Sequence, residues 1–115
     1  MAFVSILLDA PVPYAILEDV TVDLARLQIT WPEGQVELSS REGLILEYLR
    51  ARPGVAVTRE ALLTDVWGYH DGSIRTRTVD VHILQLRNKL RDVPGGDAWI
   101  GTVRGRGYKF EAEVR

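Results

Sequence analysis

Cysteine is absent from the chain, which excludes a disulfide framework and any thiolate-held metal or cluster. Histidine occurs only as His70 and His82, too few for an imidazole-rich centre, so neither a metal nor another cofactor is expected. Long apolar runs are missing as well. The opening stretch Met1 to Leu8 is hydrophobic, but it lacks a basic flank and is broken by Asp9 and Pro11, well short of the roughly 20 residues that span a bilayer. Residues 1–13 therefore read as a strand or tether, and a reducing, cytoplasmic setting is the simplest one. Catalytic constellations are lacking too: there is no Ser/His/Asp order, metal-ligand spacing or phosphate loop. The scattered carboxylates Glu42, Glu47 and Asp65 fall on expected helices, where ordinary surface roles are anticipated, and no enzyme is expected.

What is present is enough for one globular domain over residues 14–115. The chain has 115 residues, 46% hydrophobic and 26% charged, and a second full domain would not fit. Its net charge of −2 hides an asymmetry. Residues 1–74 carry 5 basic and 11 acidic side chains, whereas residues 75–115 carry 9 basic and 5 acidic ones. One pole of the molecule is thus suited to a polyanion, as a docking surface for nucleic acid would be.

Short runs rich in Val, Ile, Thr and Trp predict strands from Tyr14, over Val20 to Asp23, over Leu27 to Trp31, and over Gln35 to Leu38. The tetrad Trp31-Pro32-Glu33-Gly34 predicts a hairpin joining the last two. Ser39-Ser40-Arg41-Glu42 precedes Leu44, Ile45, Tyr48 and Leu49 at helical spacing, the signature of a capped amphipathic helix ending before Pro53-Gly54. Val55 to Val57 reads as an extended link. A second helix opens with Thr58 as its N-cap and stops at Gly68, and a third runs from about Arg77 to Arg91 until Val93-Pro94-Gly95-Gly96 breaks it. Two strands around Arg104-Gly105-Arg106-Gly107 close the chain, the glycines supplying the positive φ values a tight turn demands.

The third helix divides sharply on a wheel. Val79, Ile83, Leu86 and Leu90 fall within about 60° of one another and complete a core stripe. The opposite side carries Arg77, Val81, Leu84, Gln85 and Asn88, with Arg91 at its margin. A face that merely met water would be filled with Glu and Lys. This one holds two apolar residues, two amides and a guanidinium without a carboxylate, which suits the methyl groups, donors and acceptors of a base-pair edge. Thr78, His82 and Lys89 form one shoulder, where a phosphate strand could pass. Asp80 and Arg87 form the other, Asp80 being expected to pair with a neighbouring Arg rather than to face DNA.

Four motifs occur in order: Leu38 to Glu42, Thr58 to Gly68, Arg77 to Ile83 followed by Leu86-Arg87 and Lys89-Leu90, and Thr102 to Tyr108. Together they resemble the OmpR/PhoB family of response-regulator effector domains, from about Tyr14 to Phe110. The resemblance implies an α+β winged helix-turn-helix with an N-terminal four-stranded antiparallel sheet, three helices and a C-terminal hairpin as the wing. It further implies a sequence-specific regulator whose third helix enters the major groove of double-stranded DNA and whose wing enters the adjacent minor groove. Arg77, Val81, His82, Gln85 and Arg87 on the helix, and Thr102, Arg104 and Tyr108 around the wing, become the contacts by that likeness.

In physical terms, Gln85 suits an adenine edge, and Val81 and Leu84 suit thymine methyls. Arg77, His82, Thr102 and Tyr108 suit phosphates. Arg104 suits the minor groove, with Arg106 as its alternative. For His82 a second reading stands beside the phosphate contact, a shoulder packed over the wing. Leu84 and Gln85 stand where the family often carries longer basic or polar residues, so a shallow salt dependence is expected. The connection Gly68 to Thr76 is either a surface offered to RNA polymerase, through Tyr69, His70, Asp71 and Ile74, or a solvated linker. Trp67 is expected in inter-helix packing, and Trp31 and Trp99 in structural roles. A receiver domain of about 120 residues has no room here, so the chain reads either as an excised effector part or as a protein that works alone. Asp9 to Pro13, which resemble the end of a linker, favour the first, a monomer that meets direct-repeat half-sites with dimerisation mainly in the missing part. The rival reading is a winged helix used only for protein contacts.

Overall fold

A computed structural model describes residues 14–16, 19–68 and 76–112. Four short strands come first: β1 (Tyr14–Ile16), β2 (Val20–Asp23), β3 (Gln28–Trp31) and β4 (Gly34–Glu37). They form an antiparallel meander in chain order, with Val22 opposite Ile29 and Ile29 opposite Val36. Alternation decides which face is buried: Val20, Val22 and Ile29 point into the core, while Thr21, Gln35 and Glu37 point out. The expected hairpin joins β3 to β4, with Trp31 paired to Gly34 across Pro32 and Glu33. The Trp31 indole lies over Gly34, where an added Cβ would come within 3.0 Å of the ring. Leu27, expected inside a strand, stands just before β3 with a left-handed φ of 54°, its carbonyl still accepting the Leu38 amide at 2.8 Å.

Helix α1 (Ser40–Arg50) starts at a complete capping box. The Ser39 hydroxyl accepts the Glu42 amide at 3.1 Å, and the Glu42 carboxylate accepts the Ser39 amide at 2.7 Å. Ile45, Tyr48 and Leu49 are buried, as the pattern required, and so is Leu46, which lay outside it; Leu44, also in the pattern, is only partly covered. Glu42 and Glu47, expected at the surface, are 3% and 1% exposed. Each survives burial because a cation meets it: Lys89 reaches Glu42, and Arg50 reaches Glu47 one turn along the helix. Asp65 is likewise engaged, accepting the Tyr48 hydroxyl.

The segment expected to be a mere link contributes β5 (Val57–Thr58), which pairs with the last strand. Thr58 then caps α2 (Arg59–Leu62) by accepting the Ala61 amide at 3.0 Å. That helix widens into a π turn over Leu63–Trp67 and stops at Gly68, whose φ of 81° is left-handed. Helix α3 (Arg77–Leu90) follows, and the chain leaves it through a tight 3₁₀ turn (Gly96–Ala98). Strands β6 (Ile100–Val103) and β7 (Gly107–Phe110) form the terminal hairpin, in a three-stranded sheet of order β5-β7-β6.

The core joins all three layers: Val22 and Ile29 from the first sheet, Leu46 and Leu49 from α1, Leu62 and Val66 from α2, and the α3 stripe. Trp99, Ile100 and Phe110 close it beneath the second sheet. Val79, Ile83, Leu86 and Leu90 are at most 1% exposed, so α3 is seated by one stripe and its opposite side is left outward.

Candidate nucleic-acid interface

The outward side of α3 is the one the wheel marked. Arg77, Val81, Leu84, Gln85, Asn88 and Arg91 are all exposed. Val81 and Leu84, at 45% and 55%, are two of the three large hydrophobic side chains exposed among the described residues. Burial of such side chains is worth about 1.5–3 kcal/mol each, so leaving two of them side by side in water on a helix of otherwise orderly pattern marks a surface built to be covered.

The two shoulders differ in kind. On one, the His82 ring meets Trp67 edge-on with 5.1 Å between centroids, and its Nδ1 lies 2.9 Å from the Thr78 carbonyl oxygen. His82 thus packs on the end of the π turn rather than over the wing, the wing lying across the opposite flank. Arg41 reaches from α1 to donate to the Val66 carbonyl at 2.8 Å, its guanidinium 4.8 Å from the Trp67 ring centre. Trp67 is therefore an inter-helix packing residue. Lys89 donates to Glu42 at 2.6 Å, so its charge is matched within the fold. Thr78 is half-buried beside these groups.

The other shoulder holds the wing. Asp80 Oδ1 accepts from Arg59 Nε at 2.6 Å and from the Tyr108 hydroxyl at 2.5 Å. Burial acts against the charged carboxylate, but Tyr108, Arg59 and the charge of Arg77 outweigh it and hold the Asp80 carboxyl below the usual range. The Tyr108 hydroxyl is pushed up by burial and by the same carboxylate. Asp80 thus pairs with an Arg as expected, although its partner comes from α2. Tyr108, expected at a phosphate, is 5% exposed, and its hydroxyl is directed at Asp80. Arg87 also turns inward, donating to the Ile100 carbonyl and to Thr102 Oγ1, both at 2.9 Å. The Thr102 hydroxyl accepts there and keeps its own proton for a further acceptor.

The tip is open. Arg104, Gly105 and Arg106 are exposed, with Arg106 N bonded to the Val103 carbonyl at 2.9 Å. The two glycines differ in role. Gly105 supplies the positive φ, 75°, whereas Gly107 is a close-approach residue against β5, where a Cβ would fall 2.0 Å from the Val57 carbonyl oxygen. Tyr69, His70, Asp71 and Ile74 lie outside the described residues. Arg59 and Arg41 were missed by sequence reasoning. The only signals were an Asp80 expected to find an Arg and an Arg inside the capping motif. Among the described residues, no cluster of acids and histidines is placed to hold a metal ion, and no helix is long and apolar enough to cross a membrane.

A helix seated by one stripe, presenting an outward face with no carboxylate and flanked by a basic hairpin, defines a winged helix-turn-helix domain. Residues 33–110 match the family described as "Transcriptional regulatory protein, C terminal". The chain belongs to that family, the OmpR/PhoB winged-helix effector domains, whose members are DNA-binding regulatory domains and not enzymes. It is 40% identical over 91 residues to a probable transcriptional regulator, ycf27, of Galdieria sulphuraria, covering 78% of this chain and 36% of that protein. The chain thus spans about a third of the length of the curated relatives it matches. Among solved structures, the DNA-binding domain of E. coli CadC superposes with a TM-score of 0.76 at 26% identity, over 90% of this chain and 96% of that one. The Klebsiella pneumoniae RstA DNA-binding domain in complex with the RstA box gives 0.68 at 33% identity, over 85% and 96%.

Proposed function

We propose that this regulator domain reads double-stranded DNA by laying α3 in the major groove while Arg104 or Arg106 enters the adjacent minor groove. The outward face of α3 carries the reading: Val81 and Leu84 are exposed beside Gln85 and Asn88, with no carboxylate among them. Val81 and Leu84 meet thymine methyls, Gln85 bonds an adenine edge, and Asn88 stands at the next base pair. Arg77, Thr78, His82 and the free proton of Thr102 take phosphates, fixing register. Arg87 and Tyr108 act from behind, orienting the wing. Asp80, which would repel a phosphate, is compensated by Arg59.

The RstA domain, solved on its own DNA box, supports this placement by likeness. By the same family likeness the chain is the cytoplasmic effector part of a phosphorelay response regulator, with residues 1–13 leading from a receiver domain and with direct-repeat half-sites as targets. The segment with Tyr69, His70, Asp71 and Ile74 would then contact RNA polymerase, by the same family likeness.

Selection of bound duplexes from a random library at about 100–150 mM salt, where non-specific attraction is suppressed, tests the reading. Enrichment of a short motif, repeated at one helical turn, is expected. A folded domain that enriches nothing, or retains all duplexes equally and loses them together as salt rises, would refute sequence reading and favour a protein-binding role for this face.

A further inference from the structure

We propose that Asp80 is a positioning residue that sets the angle of the wing against α3, and thereby the weight that wing contacts carry in the choice of a DNA site. The second half rests on the minor-groove reading above; the first does not. Asp80 lies in the first turn of α3 and gathers one donor from each neighbouring element, Arg59 from α2 and Tyr108 from β7. The Tyr108 ring stands between two guanidinium groups, 5.3 Å from that of Arg59 and 5.2 Å from that of Arg87. Seven residues along the same helix, about 10 Å away, Arg87 holds β6 through Ile100 and Thr102. One attachment fixes a position, and two along an axis fix an angle. The apolar contacts beneath are non-directional and resist a small tilt poorly, whereas hydrogen bonds to a carboxylate are short and directional.

The lever is long enough to matter. From Tyr108 to the hairpin tip is about 10 Å of strand, so a tilt of about 10° moves Arg104 and Arg106 by about 2 Å, a third of the width of the minor groove they would enter. A structural ion pair elsewhere on the surface would have no such reach.

Two variants test this in the whole 115-residue chain. Asp80→Asn keeps the shape and removes the charge, and Tyr108→Phe keeps the ring between its guanidinium neighbours and removes only the hydroxyl. In free protein, amide hydrogen exchange should quicken about tenfold in β6 and β7 while the core amides of α1 keep their rates. Uniform quickening everywhere would show a merely stabilising pair and overturn the proposal. On DNA, two duplexes that share the helix-contacted sequence and differ only in A·T-rich or G·C-rich flanks are compared, with active protein titrated. The affinity ratio between them should fall about fivefold in either variant, and Asp80→Asn should change nothing further once Arg104 and Arg106 are both replaced by Ala. A loosened wing with an unchanged ratio would overturn the link to site choice. A wild-type chain without any flank preference would refute the minor-groove reading and the second half of the proposal with it, leaving the exchange rates to decide the first.

Discussion

Gly107 offers a sharp test of how the wing is seated, because its neighbours are backbone and cannot swing aside. In Gly107→Ala the new Cβ would meet the Val57 carbonyl oxygen at 2.0 Å, the Val57 carbonyl carbon at 2.9 Å and Thr58 Cα at 3.0 Å. Relief requires β5 and β7 to separate, which breaks the pairs Val57 with Tyr108 and Thr58 with Gly107. Overpacking of this kind costs about 1–3 kcal/mol, and the absence of any flexible neighbour puts this case near the upper end, about 3 kcal/mol. Gly105→Ala is the control. It sits two residues away in the same hairpin with nothing within 4 Å of its Cβ, so only the left-handed φ of 75° is penalised, by about 1 kcal/mol. Urea unfolding of both variants should show a lower midpoint at unchanged slope, the loss in Gly107→Ala being about three times that in Gly105→Ala. Equal losses would refute the close approach of β5 to the wing. A larger loss in Gly105→Ala would mean that turn geometry, not strand packing, governs this hairpin.

Three further outcomes are expected. Leu86→Ala removes a fully buried member of the α3 stripe and should lower stability by about 2–5 kcal/mol in the same urea assay; a cost below about 1 kcal/mol would contradict its place in the core. Gln85→Ala should relax preference at one base position by about 1–3 kcal/mol in competition binding, while equal losses on all sequences would argue for a phosphate role. Burial opposes ionisation of Glu42, yet bonds from Lys89 and Ser39 outweigh it and hold the carboxyl below its ordinary range. Its folded pKa therefore lies below the unfolded one, so its contribution is present at neutral pH and lost as pH falls below about 4 and through the folded value. Glu42→Gln should accordingly cost about 1 kcal/mol in urea unfolding at pH 7 and progressively less as pH falls below about 4; a cost independent of pH would show that the charge is irrelevant.

Periodicity carried far in this chain. The buried stripe of α3 and its outward face were both legible because a helix of fixed pitch turns residue spacing directly into direction. The Ser39 and Thr58 caps were legible for a similar reason, since a cap is a bond between residues three apart. Glu42 and Glu47 were not. A carboxylate at the edge of a helical pattern looks exposed until the cation that covers it is known, and for Glu42 that cation lies 47 residues away in Lys89.

The family motifs likewise announced a wing, but not what fixes it. Val57 as a strand, Gly107 as a point of close approach, and the convergence of Arg59, Asp80 and Tyr108 each require two segments to be brought together across the sheet. By itself the sequence determined the order of the helices and of the strands other than β5, the stripe that enters the core and the face left outward, all of which follow from local geometry. Only the tertiary structure decided which charges are compensated and how the wing stands on the helix, because those depend on distances between residues that the chain places far apart.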